Sequence, residues 1–287
     1  MTRDHAHPTG SFPHASDLEL IRFEVGPTGG EGHFDLTPEL ARHDGALYGG
    51  TGAAAAVMAM ESATQRDALW VATQFVAQAH IGDRIDWAAH KLAQGGRIAQ
   101  LQVVASVGNR MIFCALGATA LPRPGGLNGQ YDAMPGVTSP EDSPPFRHRH
   151  RGTDGDDLAF HRNIEFREAA WTTEKSRDVA LWARLAPGGT DMTRARIAFV
   201  ADMVPMAITR TAERVGGGFS LDNSLRFSSV PPTDWVLLRL RGEMASHGYG
   251  HGSLTAWSTD GTLVATGSQT ASMAYMLQSD EESAVVR

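Results

Sequence analysis

The chain has 287 residues, of which 42% are apolar and 20% are charged, a composition typical of a globular protein large enough for two domains. The 25 Lys and Arg against 32 Asp and Glu give a formal net charge of −7, and the absence of a dense basic run argues against nucleic-acid binding. The single cysteine, Cys114, excludes an intrachain disulfide and a cysteine-based zinc site.

The N-terminal segment is polar and rich in His, Pro and Gly, so we expect residues 1–16 to form a flexible tip rather than a secretory signal. No apolar run approaches the roughly 18 residues of a membrane span. The chain is therefore predicted to be a cytoplasmic protein without a membrane partner.

The first half predicts one buried helix followed by antiparallel strands. Residues 50–65 are rich in Ala and Met, with Glu61 as their only acidic side chain, as in a helix covered on most sides. Runs of apolar and β-branched residues, separated by Gly95-Gly96 and Gly108-Asn109 turns, then predict strands. These strands are expected at 70–78, 84–91, 98–107 and 110–118.

A change of composition at 121–152 predicts a linker between two domains, 17–120 and 153–287, because this stretch is rich in Pro and Gly and lacks periodicity. It contains the alternating run His148, Arg149, His150, Arg151. Without an acidic or cysteine partner this run is interpreted as a solvated basic turn rather than a metal or phosphate site.

The second half repeats the same order. A helix is predicted at 193–214 with an interruption at Pro205, and an Asp260-Gly261 turn joins the last two strands. The strands are expected at 218–227, 235–245, 252–258 and 263–271. An offset of 152 or 153 residues superposes the halves, placing Trp70 opposite Asp222 and Leu116 opposite Gln269. The pattern predicts an α+β fold made of a duplicated domain.

Four segments in order resemble the type II acyl-CoA thioesterases over nearly the whole chain. They are HDGALYGGTGAAAA at 43–56, the sheet residues 74–120, LDNSLRFSSVPPTDWVLL at 221–238 and DGTLVATGSQTASM at 260–273. The resemblance implies a double hotdog fold, in which each of two domains wraps a sheet around a helix. It also implies hydrolysis of fatty acyl-CoA to free acid and CoA in lipid metabolism, without a metal or redox cofactor. Because hotdog sheets usually pair, we expect a homo-oligomer.

In that family an Asp, a Ser or Thr hydroxyl and a Gln activate water. The resemblance places the Asp on Asp222 and the Gln on Gln269. The positions expected for the hydroxyl, 242–244, hold Gly, Glu and Met. Ser246 is therefore the candidate third residue, with Glu243 or a water left open as its replacement.

The first domain is expected to contribute the start of its helix, at Tyr48, Gly49, Gly50 and Thr51. A free backbone N–H there would polarise the thioester carbonyl. The alternative is that the glycines serve only the turn and helix packing.

Other chemistry-bearing residues are interpreted more conservatively. Glu61 and Asp202, on the two helices, are predicted to be structural carboxylates, with Glu61 the next candidate for the base. His247 and His251 lie near Ser246, but no G-x-S-x-G motif supports a hydrolase triad. Buried methionines could line an acyl tunnel or simply fill the core; they are Met58, Met60, Met203 and Met206.

Two rival functions remain on the same fold. The missing hydroxyl at 242–244 favours a non-catalytic acyl-CoA-binding protein. A hotdog enoyl-CoA hydratase or dehydratase would share the substrate class, but that reaction requires a His beside the acid.

Overall fold

The computed structural model describes residues 20–146, 159–172, 176, 178–212 and 218–273. The predicted tip at 1–16 and the run from His148 to Arg151 lie outside these residues. In the described part, thirteen strands form one continuous antiparallel sheet. No helix in the same part is long and apolar enough to span a membrane.

The first unit is built around helix α1 (Gly49–Thr64), in which every residue except Thr64 is buried. Its small side chains let the sheet approach the helix closely. The helix ends at Gln65, which adopts the left-handed conformation (φ 55°) and donates its N–H to the Glu61 carbonyl at 2.7 Å. The strands of this unit are β1 (Glu24–Val25), β2 (Glu31–Asp35), β3 (Asp67–Phe75), β4 (Arg84–Gln94), β5 (Ile98–Val107) and β6 (Arg110–Ala120).

The second unit has its helix in two pieces, α2 (Arg194–Val200) and α3 (Val204–Thr211). Pro205 has no N–H to donate, and its ring would clash with the carbonyl of the residue four positions earlier, so the helix breaks one turn before it. Asp202 lies in this break. The strands are β7 (Ile164–Glu168), β8 (Val179–Leu185), β9 (Phe219–Ser220), β10 (Asp222–Phe227), β11 (Val236–Ser246), β12 (Tyr249–Ser258) and β13 (Leu263–Ser272).

The two units join where β3 pairs with β10. Ala72 lies opposite Ser224 at the centre of this pairing. These two residues are 152 positions apart, so adding 152 to a residue number in β3 gives its counterpart in β10. The same register pairs Ala72 with Leu116 on β6 and Ser224 with Ser268 on β13. The predicted equivalence of Trp70 with Asp222 agrees with this register. Leu116 corresponds instead to Ser268, so Gly117 is the counterpart of Gln269.

The predicted helices and strands are present, with bounds that differ by a few residues. The predicted strand 218–227 is interrupted at Leu221 and forms β9 and β10. Four short or flanking strands, β1, β2, β7 and β8, are absent from the prediction. The described part of the predicted linker, 121–146, is an ordered connection, because the Gln130 side chain accepts from Leu263 N (2.8 Å) and donates to Gly261 O (3.0 Å).

The helices of the two units cross at Gly50. A Cβ on Gly50 would overlap both the Phe199 carbonyl oxygen on α2 and the Tyr48 ring. A glycine is therefore required here by close packing between the units.

We expect Gly50→Ala to lower the free energy of unfolding by about 1–3 kcal/mol, because the added methyl meets main-chain atoms that cannot move aside. Helix propensity alone would favour alanine, so destabilisation identifies the packing contact. Chemical denaturation measures the change. Gly96→Ala is the control, since its Cβ would meet no atom within 4 Å; an equal loss in both variants would contradict the assignment.

Candidate active site

A buried carboxylate in the helix break collects hydrogen bonds from three side chains of the second unit. Asp202 is 7% exposed. Its Oδ1 accepts from Ser220 Oγ at 3.1 Å, from Asn223 Nδ2 at 3.1 Å and from Gln269 Nε2. We call these four residues the Asp202 cluster. A carboxylate removed from water requires such donors.

Neighbouring strands deliver the donors to one point. Ser220 on β9 pairs with Ala271 on β13, and Gln269 lies two residues before Ala271. Asn223 lies on β10 and is fully buried. Because side chains alternate across a strand, the adjacent Asp222 lies on the other side, where its Oδ1 accepts from Thr270 N at 2.7 Å.

Two buried oxygens of the cluster have no hydrogen-bond partner among the described residues, namely Gln269 Oε1 and Asn223 Oδ1. The Nε2 group of Gln269 uses its two hydrogens, on Asp202 and on Ser220 Oγ (2.7 Å). Its carbonyl oxygen is left as an acceptor. Buried acceptors are rarely left unpaired in proteins, so the site fits a donor such as water.

Burial raises the pKa of Asp202 to about 6, because the charged form loses its hydration. The hydrogen bonds from Asn223, Ser220 and Gln269 oppose this rise, as does the positive charge of Arg42. The balance between burial and these opposing interactions leaves Asp202 ionised near neutral pH and also a stronger base than an exposed aspartate.

The first unit brings the start of α1 to the same carboxylate. A Cβ on Gly49 would overlap Asp202 Oδ2, so the first turn of the helix lies against the acid. Tyr48 precedes it, stacked on Phe160 with ring centroids 3.6 Å apart. Its hydroxyl is buried without a partner in the described structure, and burial together with the Asp202 charge raises its pKa. The Thr51 hydroxyl is committed to Leu40 O at 2.8 Å.

Of the three predicted catalytic residues, the structure brings only Gln269 into this cluster. Asp222 contacts the backbone of Thr270, as described above. Ser246 is exposed at the far end of β11 and pairs with Tyr249 in the next hairpin. The strand β12 lies between β11 and β13, so Ser246 is too remote to complete the site. Asp222 and Ser246 therefore lie outside the cluster, and the catalytic roles expected for them stay predictions.

A hydroxyl group does reach the cluster, from Ser220, two residues before Asp222. A regular strand would point both residues to the same face. The chain is interrupted at Leu221, whose N–H donates to Thr270 O at 2.9 Å and whose carbonyl accepts from Phe75 N at 3.0 Å. This interruption turns Ser220 towards Asp202. The sequence signals that could have identified the site are the serine beside LDNS and the aspartate at the proline break.

The other acid candidates have separate surroundings. Glu61 accepts from Ala68 N at 2.9 Å, consistent with the structural role expected for it. Asp202 was also expected to be structural; its position in the cluster makes it a candidate for the base as well. His251 lies 3.3 Å from Thr270 Oγ1, and Glu243 accepts from Ser253 Oγ at 2.6 Å; neither residue contacts the Asp202 cluster.

The equivalent place in the first unit lacks the polar side chains. The offset of 152 residues puts Ala68 at the position of Ser220 and Gly117 at that of Gln269. The space is filled by Met60, whose Sδ would lie 2.5 Å from a Cβ on Gly117. Met60 therefore serves as core filling, and the cluster occurs in one of the two halves.

Two grooves of the described structure are lined by residues outside this cluster. A groove of about 520 Å³ is lined by residues including Trp171, Asp178 and Arg210, and another of about 490 Å³ by residues including His33 and Trp87. Within the cluster, Asp202, Asn223 and Gln269 are buried, whereas Ser220 is partly exposed to solvent. The predicted methionine tunnel stays a prediction.

Comparisons with known proteins show which proteins this chain is similar to. Residues 140–273 match the family model described as the acyl-CoA thioesterase C-terminal domain. The crystal structure of a candidate thioesterase from Novosphingobium aromaticivorans DSM 12444 is 27% identical, with a TM-score of 0.78, and covers 89% of this chain and 98% of that one. No protein of curated function matches the sequence significantly.

Two further structures share the fold at lower identity. The tesB protein of Mycobacterium avium subs paratuberculosis is 18% identical with a TM-score of 0.72, over 92% of this chain and 98% of that one. Acyl-CoA thioesterase II TesB2 from Mycobacterium marinum is 16% identical with a TM-score of 0.69, over 92% and 99%. The resemblance to the type II acyl-CoA thioesterases and the double hotdog fold are confirmed.

We expect the stability of Asp202→Asn, relative to the native protein, to increase as pH rises from about 4 to about 6. The raised pKa means that the folded protein binds this proton more tightly than the unfolded chain, so ionisation destabilises the native fold across that window. The shift corresponds to roughly 3 kcal/mol. Urea denaturation at pH 4 and pH 7.5 measures it, and a pH-independent difference would contradict a buried, ionising Asp202.

Proposed function

We propose that this chain, a thioester hydrolase that belongs to the acyl-CoA thioesterase family over residues 140–273, hydrolyses fatty acyl-CoA by water that Asp202 activates. The observation that carries the proposal is the buried carboxylate bonded to Ser220 and Gln269, beside an unpaired carbonyl oxygen. The products are a free fatty acid and CoA.

The proposed water donates one hydrogen to Asp202 Oδ2 and the other to Gln269 Oε1. The first contact takes the proton as the water oxygen attacks the thioester carbonyl carbon. The second contact uses the acceptor that lacks a partner in the described structure. Ser220 and Asn223 donate to Oδ1, with Ser220 Oγ also 3.3 Å from Oδ2, and Oδ2 lies at the start of α1.

The thioester carbonyl is proposed to lie at the N-terminus of α1. In its first turn Thr51 N and Gly52 N donate to Tyr48 O, which leaves the N–H groups of Gly49 and Gly50 without an acceptor in the helix, and Gly49 lies against Asp202 Oδ2. These donors would stabilise the negative charge that develops on the carbonyl oxygen. Collapse of the tetrahedral species breaks the C–S bond and releases the CoA thiol, which receives the proton held by Asp202. No acyl-enzyme is formed in this scheme.

The two rival functions have less support. The binding-protein alternative depended on an absent hydroxyl, and Ser220 supplies one. The hydratase alternative requires a histidine beside the acid, whereas the side chains bonded to Asp202 are Ser220, Asn223 and Gln269. Cytoplasmic location and association of chains stay predictions from the sequence.

We expect Asp202→Asn to reduce release of free thiol from acyl-CoA by about two orders of magnitude or more, the usual effect of removing a general base. In the native protein kcat should rise with pH to a plateau above about 6, the pKa of Asp202. A thiol-reactive dye with short, medium and long acyl chains provides the assay.

Asp222→Asn is the matched control for that experiment, because its carboxylate contacts the backbone of Thr270 outside the cluster. It should retain turnover within a few-fold. A loss as large as that of Asp202→Asn would return the base to Asp222.

The serines provide a second matched pair. Ser220→Ala should lower kcat by roughly tenfold or more, since it removes one donor to the base and one acceptor for Gln269. Ser246→Ala should leave kcat and KM unchanged because Ser246 is exposed and remote. Steady-state kinetics on folded variants distinguishes them, and the reverse order would restore Ser246 to the site.

A further inference from the structure

An arginine of the first unit lies across the boundary between the units, next to the Asp202 cluster. The guanidinium carbon of Arg42 is 3.8 Å from the centroid of the Phe219 ring. Phe219 directly precedes Ser220 in the two-residue strand β9. A cation over an aromatic face is attracted to it, and the planar guanidinium also stacks well. Arg42 therefore contacts the segment that supplies the hydroxyl of the cluster.

A tight turn holds Arg42 in this orientation. Its N–H donates to Ala46 O at 2.7 Å, and its carbonyl accepts from Gly45 N at 2.9 Å, where Gly45 has a φ of 78°. Its Nη2 lies 2.6 Å from Asp44 Oδ2, and the Arg42 side chain is only 18% exposed. The turn fixes the backbone of Arg42 and the ion pair fixes its guanidinium, so the side chain is oriented before any substrate binds.

Arg42 also supplies a positive charge that acts on Asp202. Burial lowers the pKa of Arg42, and the charges of Asp44 and Asp202 oppose that change. The other titratable group facing Asp202 is the Tyr48 phenol, which is neutral near pH 7. The Asp222 carboxylate accepts from Thr270 N, and the Asp44 carboxylate is paired with Arg42 Nη2. Among the described residues, Arg42 is the cation that opposes the desolvation of Asp202.

We propose that Arg42 is a positioning residue for the reaction, which fixes the strand carrying Ser220 and keeps Asp202 ionised from across the boundary between the two units. This inference rests on the proposed function of Asp202. It assigns to the first unit an electrostatic contribution in addition to the start of α1.

The duplicated fold offers an internal comparison. Arg194 of the second unit reaches the first unit, where its Nη1 lies 3.1 Å from Asp67 Oδ1. The offset of 152 residues makes Asp67 the counterpart of Phe219 and Ala68 that of Ser220. On the side without the cluster, an acid therefore neutralises the arginine. On the side with the cluster, the arginine contacts an aromatic ring instead, and its ion pair is with Asp44 of its own turn.

The test compares Arg42→Met, Arg42→Lys and Arg194→Met. Met keeps much of the packing of the arginine stem, and Lys keeps the charge. Arg42→Met should shift the acidic limb of the pH profile of kcat to higher pH by roughly half to one unit. Arg42→Lys should leave it within a few tenths of a unit. Arg194→Met should lower the free energy of unfolding without moving the acidic limb of the pH profile of kcat.

A second readout does not depend on turnover. Carbon-13 NMR of aspartate carboxyls, with Asp202 assigned through Asp202→Asn, follows its titration directly. The same upward shift in Arg42→Met supports the proposal even if no acyl-CoA is hydrolysed, an outcome that would refute the proposed function alone.

An unmoved Asp202 titration in a folded Arg42→Met variant would overturn the inference. Equal shifts in Arg42→Met and Arg42→Lys would assign Arg42 to packing only and would also overturn it. If Arg42→Met fails to fold, Arg42→Gln replaces it and retains a polar head without charge.

Discussion

A carboxylate that is taken out of water has to be met by hydrogen-bond donors, and Asp202 obtains its donors from separate segments of the chain. Ser220, Asn223 and Gln269 lie on β9, β10 and β13, so their convergence requires the sheet to be assembled. The desolvated acid is costly to the fold. It is also the feature that makes the group a useful base near neutral pH.

The proline break gives this acid its location. A continuous helix would carry residue 202 on a regular helical face, whereas the break between α2 and α3 places it in a turn. On the other side, glycines at the start of α1 allow the backbone to approach the carboxylate and the Phe199 carbonyl. The closely packed helix crossing at Gly50 and the proposed reaction centre therefore lie next to each other.

Duplication produced two equivalent places that have since diverged in chemistry. One place has Ser220, Gln269 and an arginine over Phe219, and the other has Ala68, Gly117 and an arginine paired with Asp67. Met60 fills the second place. The half without the cluster still supports the other half, because it provides the start of α1 and the charge of Arg42.

The sequence by itself determined the α+β class, the duplication and the resemblance to the type II acyl-CoA thioesterases, since these depend on local periodicity, turn residues and motif order; it also made Gln269 a candidate. It also identified Tyr48 and Gly49 at the helix start. Only the tertiary structure separated Asp202 from Asp222 and Ser220 from Ser246. The reason is the direction in which the side chains point. The interruption of the strand at Leu221 turns the Ser220 side chain inward, while the alternation of side chains along β10 leaves Asp222 at the Thr270 backbone. Residues 18 positions apart in sequence, Asp202 and Ser220, become hydrogen-bond partners only when strand pairing and the helix break act together.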